Sequence, residues 1–281
     1  MKRIITIQDI SCVGKCSLTV ALPIISAAGV EACVLPTALL STHTAFSSFS
    51  FLDLTDSLPS IDNVFHELDL TFDAIYTGYL GSFEQIAFVE QFLESRKSRQ
   101  PIVIIDPVMG DHGKLYAGFT QEFSNRMAQL CSHADLLLPN MTEAAYLLRE
   151  PYLDTYTEDD IRGILLRLSK LGAKRVALTG ISLTPDKVGC YLYDSTDQSF
   201  YSYFNDKLPS VHHGTGDVFA SCVTGAYMRG IPLRDALALG VDFTLESIRA
   251  TLKDPHPIDY GVNFEEALPM LIERLKNGAG F

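Results

Sequence analysis

No stretch of the 281 residues is a run of about eighteen apolar residues, so a membrane-spanning helix is not expected. The apolar opening Ile4-Ile5-Thr6-Ile7 is too short for a signal peptide, and polar Gln8 and Asp9 follow at once. A cytoplasmic location is therefore the default expectation. Basic residues are few: 22 Lys and Arg stand against 34 Asp and Glu, a net charge of −12. That balance argues against a nucleic-acid partner, which needs a basic surface, but not against a local phosphate site built from backbone N–H groups. No Cys-x-x-Cys pair occurs. The six cysteines (Cys12, Cys16, Cys33, Cys131, Cys190 and Cys222) are scattered, mostly in apolar runs, and no histidine spacing matches them. Zinc is not expected, and buried thiols in a reducing compartment are. Repeats, low-complexity tracts and linkers are also missing, so residues 1–281 read as a single domain.

What is present is a regular alternation. Apolar runs at residues 4–7, 32–36, 74–77, 102–105, 136–138 and 175–178 read as strands. Helical patterns over residues 15–28, 56–68, 83–95, 157–171, 232–251 and 263–275 lie between or after them. Thr157 and Asp160 form the pattern of a capping box. Residues 188–193 and 200–204 read as a hairpin, and residues 8–14 and 41–46 as loops. The alternation predicts an α/β fold with a mainly parallel sheet covered by helices.

The chain is organised around His213-Gly214-Thr215-Gly216-Asp217, followed by an apolar helical run that ends at Gly230. Glycines allow a tight turn with N–H groups pointing outward. The start of a helix adds its positive end, which suits an anion. Asp217 falls in the first turn. A carboxylate beside an anion hole can take a proton from a hydroxyl while the hole holds a phosphoryl group. Asp106, Asp111, Asn140, Glu143 and Thr179 all follow the carboxyl ends of predicted strands, the edge where open α/β sheets bind ligands. Three carboxylates on that edge point to a divalent cation, most simply Mg²⁺ carried in with a nucleotide.

Two other patterns lead elsewhere. Gly14-Lys15-Cys16 is like the end of a phosphate-binding P-loop, but Asp9 stands where the first glycine belongs and Cys16 replaces Ser or Thr. His43, His212 and His213 lack the i,i+4 spacing of metal ligands and read as loop residues, with His43 a wall of a substrate pocket.

Asp106-Pro107-Val108-Met109-Gly110-Asp111, Pro139-Asn140-x-x-Glu143 and Gly214-Thr215-Gly216-Asp217 occur in order with fitting separations. The ordered set resembles the ribokinase-like superfamily and, within it, the pyridoxal (vitamin B6) kinases. Ser11, Ser41-Thr42-His43-Thr44 and Thr77-Gly78-Tyr79 add to the likeness, which runs from Ile4 to about Thr251. The resemblance implies a three-layer α/β/α sandwich. It also implies transfer of the ATP γ-phosphoryl group to the 5′-hydroxyl of pyridoxal, pyridoxine or pyridoxamine. Asp217 matches the family's base, and Gly214, Thr215 and Gly216 its anion hole. Ser11 and Thr44 match side chains that hold the polar edge of the pyridine ring, and Tyr79 an aromatic wall of that pocket, beside the His43 wall read from the residues themselves. Asp111, Asn140, Glu143, Thr179 and Gly180 match the nucleotide site, and Asp106 and Glu143 the metal site. Residues 110–116, with Gly113 as hinge, match a loop that closes over bound substrates. Mg²⁺, a monovalent cation such as K⁺ and a homodimer are further implications. Two departures stand out. Leu138 occupies a position that is Thr in vertebrate-type members, and residues 8–17 lack the usual histidine- and glycine-rich form. The alternatives are a hydroxymethylpyrimidine kinase of thiamine synthesis, which commonly has Cys in place of Asp217, and a non-catalytic B6-binding protein.

Overall fold

The computed structural model describes residues 1–43, 46–209 and 212–278. The strands are β1 (Arg3–Val13), β2 (Glu31–Thr42), β3 (Phe51–Asp53), β4 (Ala74–Thr77), β5 (Ile102–Ile105), β6 (Gly110–Asp111), β7 (Lys114–Leu115), β8 (Leu136–Leu137), β9 (Arg175–Ile181), β10 (Lys187–Asp194) and β11 (Ser199–Asp206). The α-helices are α1 (Leu18–Ala27), α2 (Leu58–Glu67), α3 (Phe83–Arg96), α4 (Gln121–Cys131), α5 (Met141–Leu148), α6 (Glu158–Ser169), α7 (Thr215–Arg229), α8 (Leu233–Lys253) and α9 (Phe264–Lys276). Hydrogen bonding orders the main sheet as β11-β10-β9-β8-β5-β4-β1-β2-β3. The chain clusters into two compact units, Met1–Ile75 with Leu208–Phe281, and Tyr76–Lys207.

In the first unit, β1 and β2 pair in parallel and β3 adds antiparallel to β2. Ile4, Ile5, Thr6, Ile7, Gln8 and Asp9 are buried in succession. Successive strand residues point to opposite faces, so both faces of β1 are covered, as in a three-layer sandwich. Helix α1 packs on β1, β2 and α7, and α7 packs on α8. The helix pair α7 and α8 meets closely because Gly240 faces Val223 and Phe219, where a Cβ would come within 2.7 Å.

The second unit holds parallel β5, β8 and β9, and antiparallel β10 and β11. Val103, Ile104 and Ile105 are buried in succession, the mark of a strand covered on both faces. Helix α6 begins with the expected capping box, Thr157 with Asp160.

Several expectations need correction. Residues 8–14 are not a loop, because β1 runs on to Val13. Residues 41–46 are not wholly a loop either, since Ser41 and Thr42 belong to β2. Polar side chains mask both extensions, yet Gln8 is fully buried and its Nε2 donates to Thr6 Oγ1 at 2.6 Å. Helix α4 has no counterpart in the sequence reading. Of the six thiols, all free, only Cys131, Cys190 and Cys222 are buried, while Cys12 is exposed. Among the described residues, no helix is long and apolar enough to cross a membrane.

Candidate active site

In the first unit, α7 starts at Thr215, directly after Gly214. Gly214 is the N-cap, in the left-handed conformation at φ 74°, and no side chain caps the helix. A Cβ there would lie 1.9 Å from the Lys15 carbonyl oxygen, so only glycine fits. At Gly216 the reason is different: its missing Cβ would meet nothing within 4 Å, which leaves open space over the first turn. The first N–H groups of a helix have no partner within the helix and favour an anion. Asp217 stands in that turn. Burial pushes its carboxyl up to about 7, the Ser17 backbone N–H opposes the rise by hydrogen bonding to it, and Asp9 adds to it. A carboxyl so placed has a base strength near neutrality.

Around this turn the chain is tightly held. The Lys15 Nζ donates to Asn263 Oδ1 at 3.1 Å and to Glu265 Oε2 at 2.7 Å, which clamps the β1–α1 turn to the start of α9. His43 is buried and its Nε2 hydrogen-bonds the Tyr260 carbonyl oxygen at 3.1 Å. A carbonyl only accepts, so this nitrogen carries the proton. Burial lowers the His43 pKa, and His213 lowers it further, against the pull of the Tyr260 bond. The His43 ring lies 4.9 Å from Phe46 and 5.7 Å from His213, and Phe46 lies 5.3 Å from Tyr260. Sequence reasoning missed Phe46 and Tyr260, although both are aromatic and both lie in loops. Ser11 is fully buried, with its Oγ 3.8 Å from Cys16 Sγ. Thr44 lies outside the described residues.

In the second unit, Asn140 is the N-cap of α5. Its Oδ1 accepts from the Glu143 N–H at 2.9 Å, and Glu143 Oε2 accepts from the Asn140 N–H at 2.8 Å. Glu143 Oε1 accepts from the Met109 N–H at 3.2 Å, and Asn140 Nδ2 donates to Gly110 O at 2.9 Å. These two residues thus tie the Asp106–Asp111 turn to the head of α5. Burial raises the Glu143 carboxyl well above the usual range, the Asn140 and Met109 N–H groups oppose this, and Asp111 adds to it. Asp106 is 7% exposed, and its backbone N–H donates to Thr77 O at 3.0 Å. Asp111 is exposed.

Residues 110–116 are not an open loop. Strands β6 and β7 make a hairpin whose turn holds His112 and Gly113, both at positive φ. The Gly113 N–H donates to Thr142 Oγ1 at 2.8 Å, and a Cβ on Gly113 would lie 2.8 Å from the Tyr152 ring. Thr179 and Gly180 fall inside β9 rather than beyond its end. Thr179 bridges to Asn140, and Gly180, at φ 67°, has nothing within 4 Å of where a Cβ would be. The Tyr79 ring lies 5.6 Å from Phe119.

Among the described residues, no group of three His, Cys, Asp or Glu side chains is arranged to hold a metal ion. The donors present suit a cation carried by phosphates, because Mg²⁺ keeps most of its water and needs only one or two carboxylates.

The sequence model of the phosphomethylpyrimidine kinase family matches residues 22–259. The chain belongs to that family. A protein of Bacteroides thetaiotaomicron, provisionally named a phosphomethylpyrimidine kinase and crystallised with pyridoxal, is 40% identical. The match covers 96% of this chain and 95% of that one, with a TM-score of 0.91. Pyridoxal kinase from Lactobacillus plantarum is 32% identical, with 99% of each chain covered and a TM-score of 0.89. A thiamine biosynthesis bifunctional protein, ThiED of Geobacter sulfurreducens, is 31% identical over 67% of this chain. The chain spans 37% of the length of that relative. The fold of this family member is accordingly the ribokinase-like α/β/α sandwich expected from its motifs.

Proposed function

We propose that this family member is an ATP-dependent kinase that phosphorylates the 5′-hydroxyl of a B6 vitamer: pyridoxal, pyridoxine or pyridoxamine. The observation that carries the reading is Asp217, a carboxyl with base strength near neutrality, set in the first turn of α7, where N–H groups have no partner within the helix. The acceptor is supported by the relative with 40% identity that was crystallised with pyridoxal.

In this reading Asp217 accepts the hydroxyl proton as the oxygen bonds to the γ-phosphorus and the bond to ADP breaks. The proton then leaves to solvent. The N–H groups of Gly214, Thr215 and Gly216 hold the transferring phosphoryl oxygens, where charge must be stabilised. Ser11, His43, Thr44 and Tyr79 are proposed to line the ring. Asp111, Asn140, Glu143, Thr179 and Gly180 are assigned to the nucleotide, and Asp106 with Glu143 to the region of Mg²⁺. When bound, Mg²⁺ would neutralise charge on the β- and γ-phosphates. Asn140 and Glu143 spend their polar atoms on each other and on the 106–111 turn, so they act by shaping that turn.

K⁺ as an activator, a cytoplasmic setting, and residues 1–281 as one kinase domain complete the proposal. A homodimer is part of it too. Leu39 and Leu52 face each other across β2 and β3 and are 37% and 55% exposed, an apolar edge that a second copy would cover.

The test is ADP release from MgATP with pyridoxal, pyridoxine, pyridoxamine, hydroxymethylpyrimidine and ribose in turn. Turnover led by a vitamer supports the proposal. Turnover led by hydroxymethylpyrimidine would support the second reading, which the family match and the ThiED likeness favour. Binding of a vitamer without turnover would point to a binding protein.

A further inference from the structure

A second carboxylate lies beside Asp217, and the sequence gives it no role. Asp9 sits in β1 and is only 6% exposed. The β1–β2 register shifts between Gln8 and Ile10, so Asp9 falls at the irregularity. Such irregularities re-aim a side chain, and they gather near functional sites. The Ser17 hydroxyl hydrogen-bonds the Asp9 carboxyl. Ser17 in turn gives its backbone N–H to Asp217.

Ser17 itself is unusual in two ways. It is the N-cap of α1, a position where serine normally bonds its own helix, yet its side chain makes no cap bond. Its backbone lies at φ 50° and ψ −131°, a conformation that residues with a Cβ rarely adopt. A local strain of this kind persists only when the surroundings impose it. Here one residue is twisted so that its hydroxyl reaches Asp9 and its N–H reaches Asp217.

We propose that Asp9, acting through Ser17, is a positioning residue that orients the Asp217 carboxylate and places a second negative charge beside it. The inference rests on the reading of Asp217 as the base. The titratable groups set against Asp217 are Asp9 from β1 and Cys16 from the β1–α1 turn. Burial pushes the Cys16 thiol up to about 12, with Asp217 and Asp9 adding, so it stays neutral. Burial raises the Asp9 carboxyl too, against the bond from the Ser17 hydroxyl, and Asp9 is the acidic group whose ionisation bears on Asp217. Like charges at close range hold a proton more tightly, which strengthens Asp217 as a base.

Two variants test this, with two readouts. In protein labelled with ¹³C at aspartate Cγ, the Asp217 signal is assigned by its loss in Asp217→Asn and then titrated. Asp9→Asn keeps an acceptor for the Ser17 hydroxyl but removes the charge. It should move the Asp217 midpoint down by about one pH unit. That titration reads the link whether or not the protein turns over any vitamer. The second readout is the pH profile of kcat at saturating MgATP and pyridoxal, where the acid-side midpoint should fall by the same amount. Ser17→Gly removes the hydroxyl and relaxes the backbone. Its melting temperature should equal or exceed that of the parent while kcat falls about tenfold and KM for pyridoxal stays level. An unmoved Asp217 midpoint in Asp9→Asn would overturn the proposal. So would a raised KM with intact kcat, which would make Asp9 a ring contact. Loss of activity in Ser17→Gly only in step with loss of folding would also overturn it.

Discussion

Replacing Asp217 by Asn should make the protein inactive and more stable at once. The carboxyl moves from an ordinary 3.8 to about 7 on folding, chiefly through burial. The folded state therefore holds the proton more tightly than the unfolded chain. Below about pH 3 both states are mostly protonated and Asp217 costs nothing. As pH rises the unfolded chain ionises first, and the penalty grows until Asp217 itself ionises. Above about pH 7 the penalty is complete. At about 1.4 kcal/mol per pH unit, the shift sets a ceiling of about 4 kcal/mol. Asp217 keeps part of its surface in water, so about 1–2 kcal/mol is the realistic share. Asn does not titrate and still accepts from the Ser17 N–H. Its variant should melt about 2–8 °C higher at pH 8 and no higher below about pH 3. Turnover should fall roughly 10²- to 10⁴-fold, the usual cost of losing a general base. Paired thermal melts at the two pH values and an ADP-release assay give the answer. Normal turnover would remove Asp217 from the base role. A melting temperature unchanged at pH 8 would mean that Asp217 carries no burial penalty, and the reasoning about its base strength would fall with it.

Asn140→Ala removes the cap of α5 and the bond to Gly110 O, and should cost about 1–2 kcal/mol in urea unfolding. The same variant should be cut faster by protease within residues 110–116, and equal cutting would deny Asn140 its hold on the hairpin. MgATP and pyridoxal together should protect residues 110–116 in the parent protein if the hairpin closes over substrates. Equal protease sensitivity with and without them would count against closure. Leu52→Glu puts a charge on the apolar β3 edge and should turn a dimer into a monomer by light scattering. An unchanged mass would remove that edge from any interface.

The parts of the fold that sequence reveals best are those where burial and chain period agree. Strand β5 is apolar throughout and was legible, and α7 was legible down to Gly230 in the left-handed conformation at its end. Helix α4 was not, although Phe123, Met127, Leu130 and Cys131 make a buried stripe at helical spacing. Its other face is Gln, Glu, Asn and Arg, and that polarity let it pass for connection. The same confusion hid Asp9, and there it matters more. A polar pair after Ile4-Ile5-Thr6-Ile7 reads as the end of a strand because a sequence shows polarity without showing where it points. In β1 both faces are covered, so Gln8 and Asp9 had no water to point to. A buried polar group must find a partner or carry a cost of about 1–3 kcal/mol. Gln8 finds Thr6, and Asp9 finds Ser17. Glu143 shows the converse. Its motif was legible as a site, yet the structure spends its two oxygens on the backbone N–H groups of Asn140 and Met109. In this chain a carboxylate's place in a motif and its freedom to act are separate properties. Glu143 has the first without the second, whereas the Asp217 carboxyl, in the first turn of α7, is raised by burial and by its neighbour Asp9 and lowered by the Ser17 N–H.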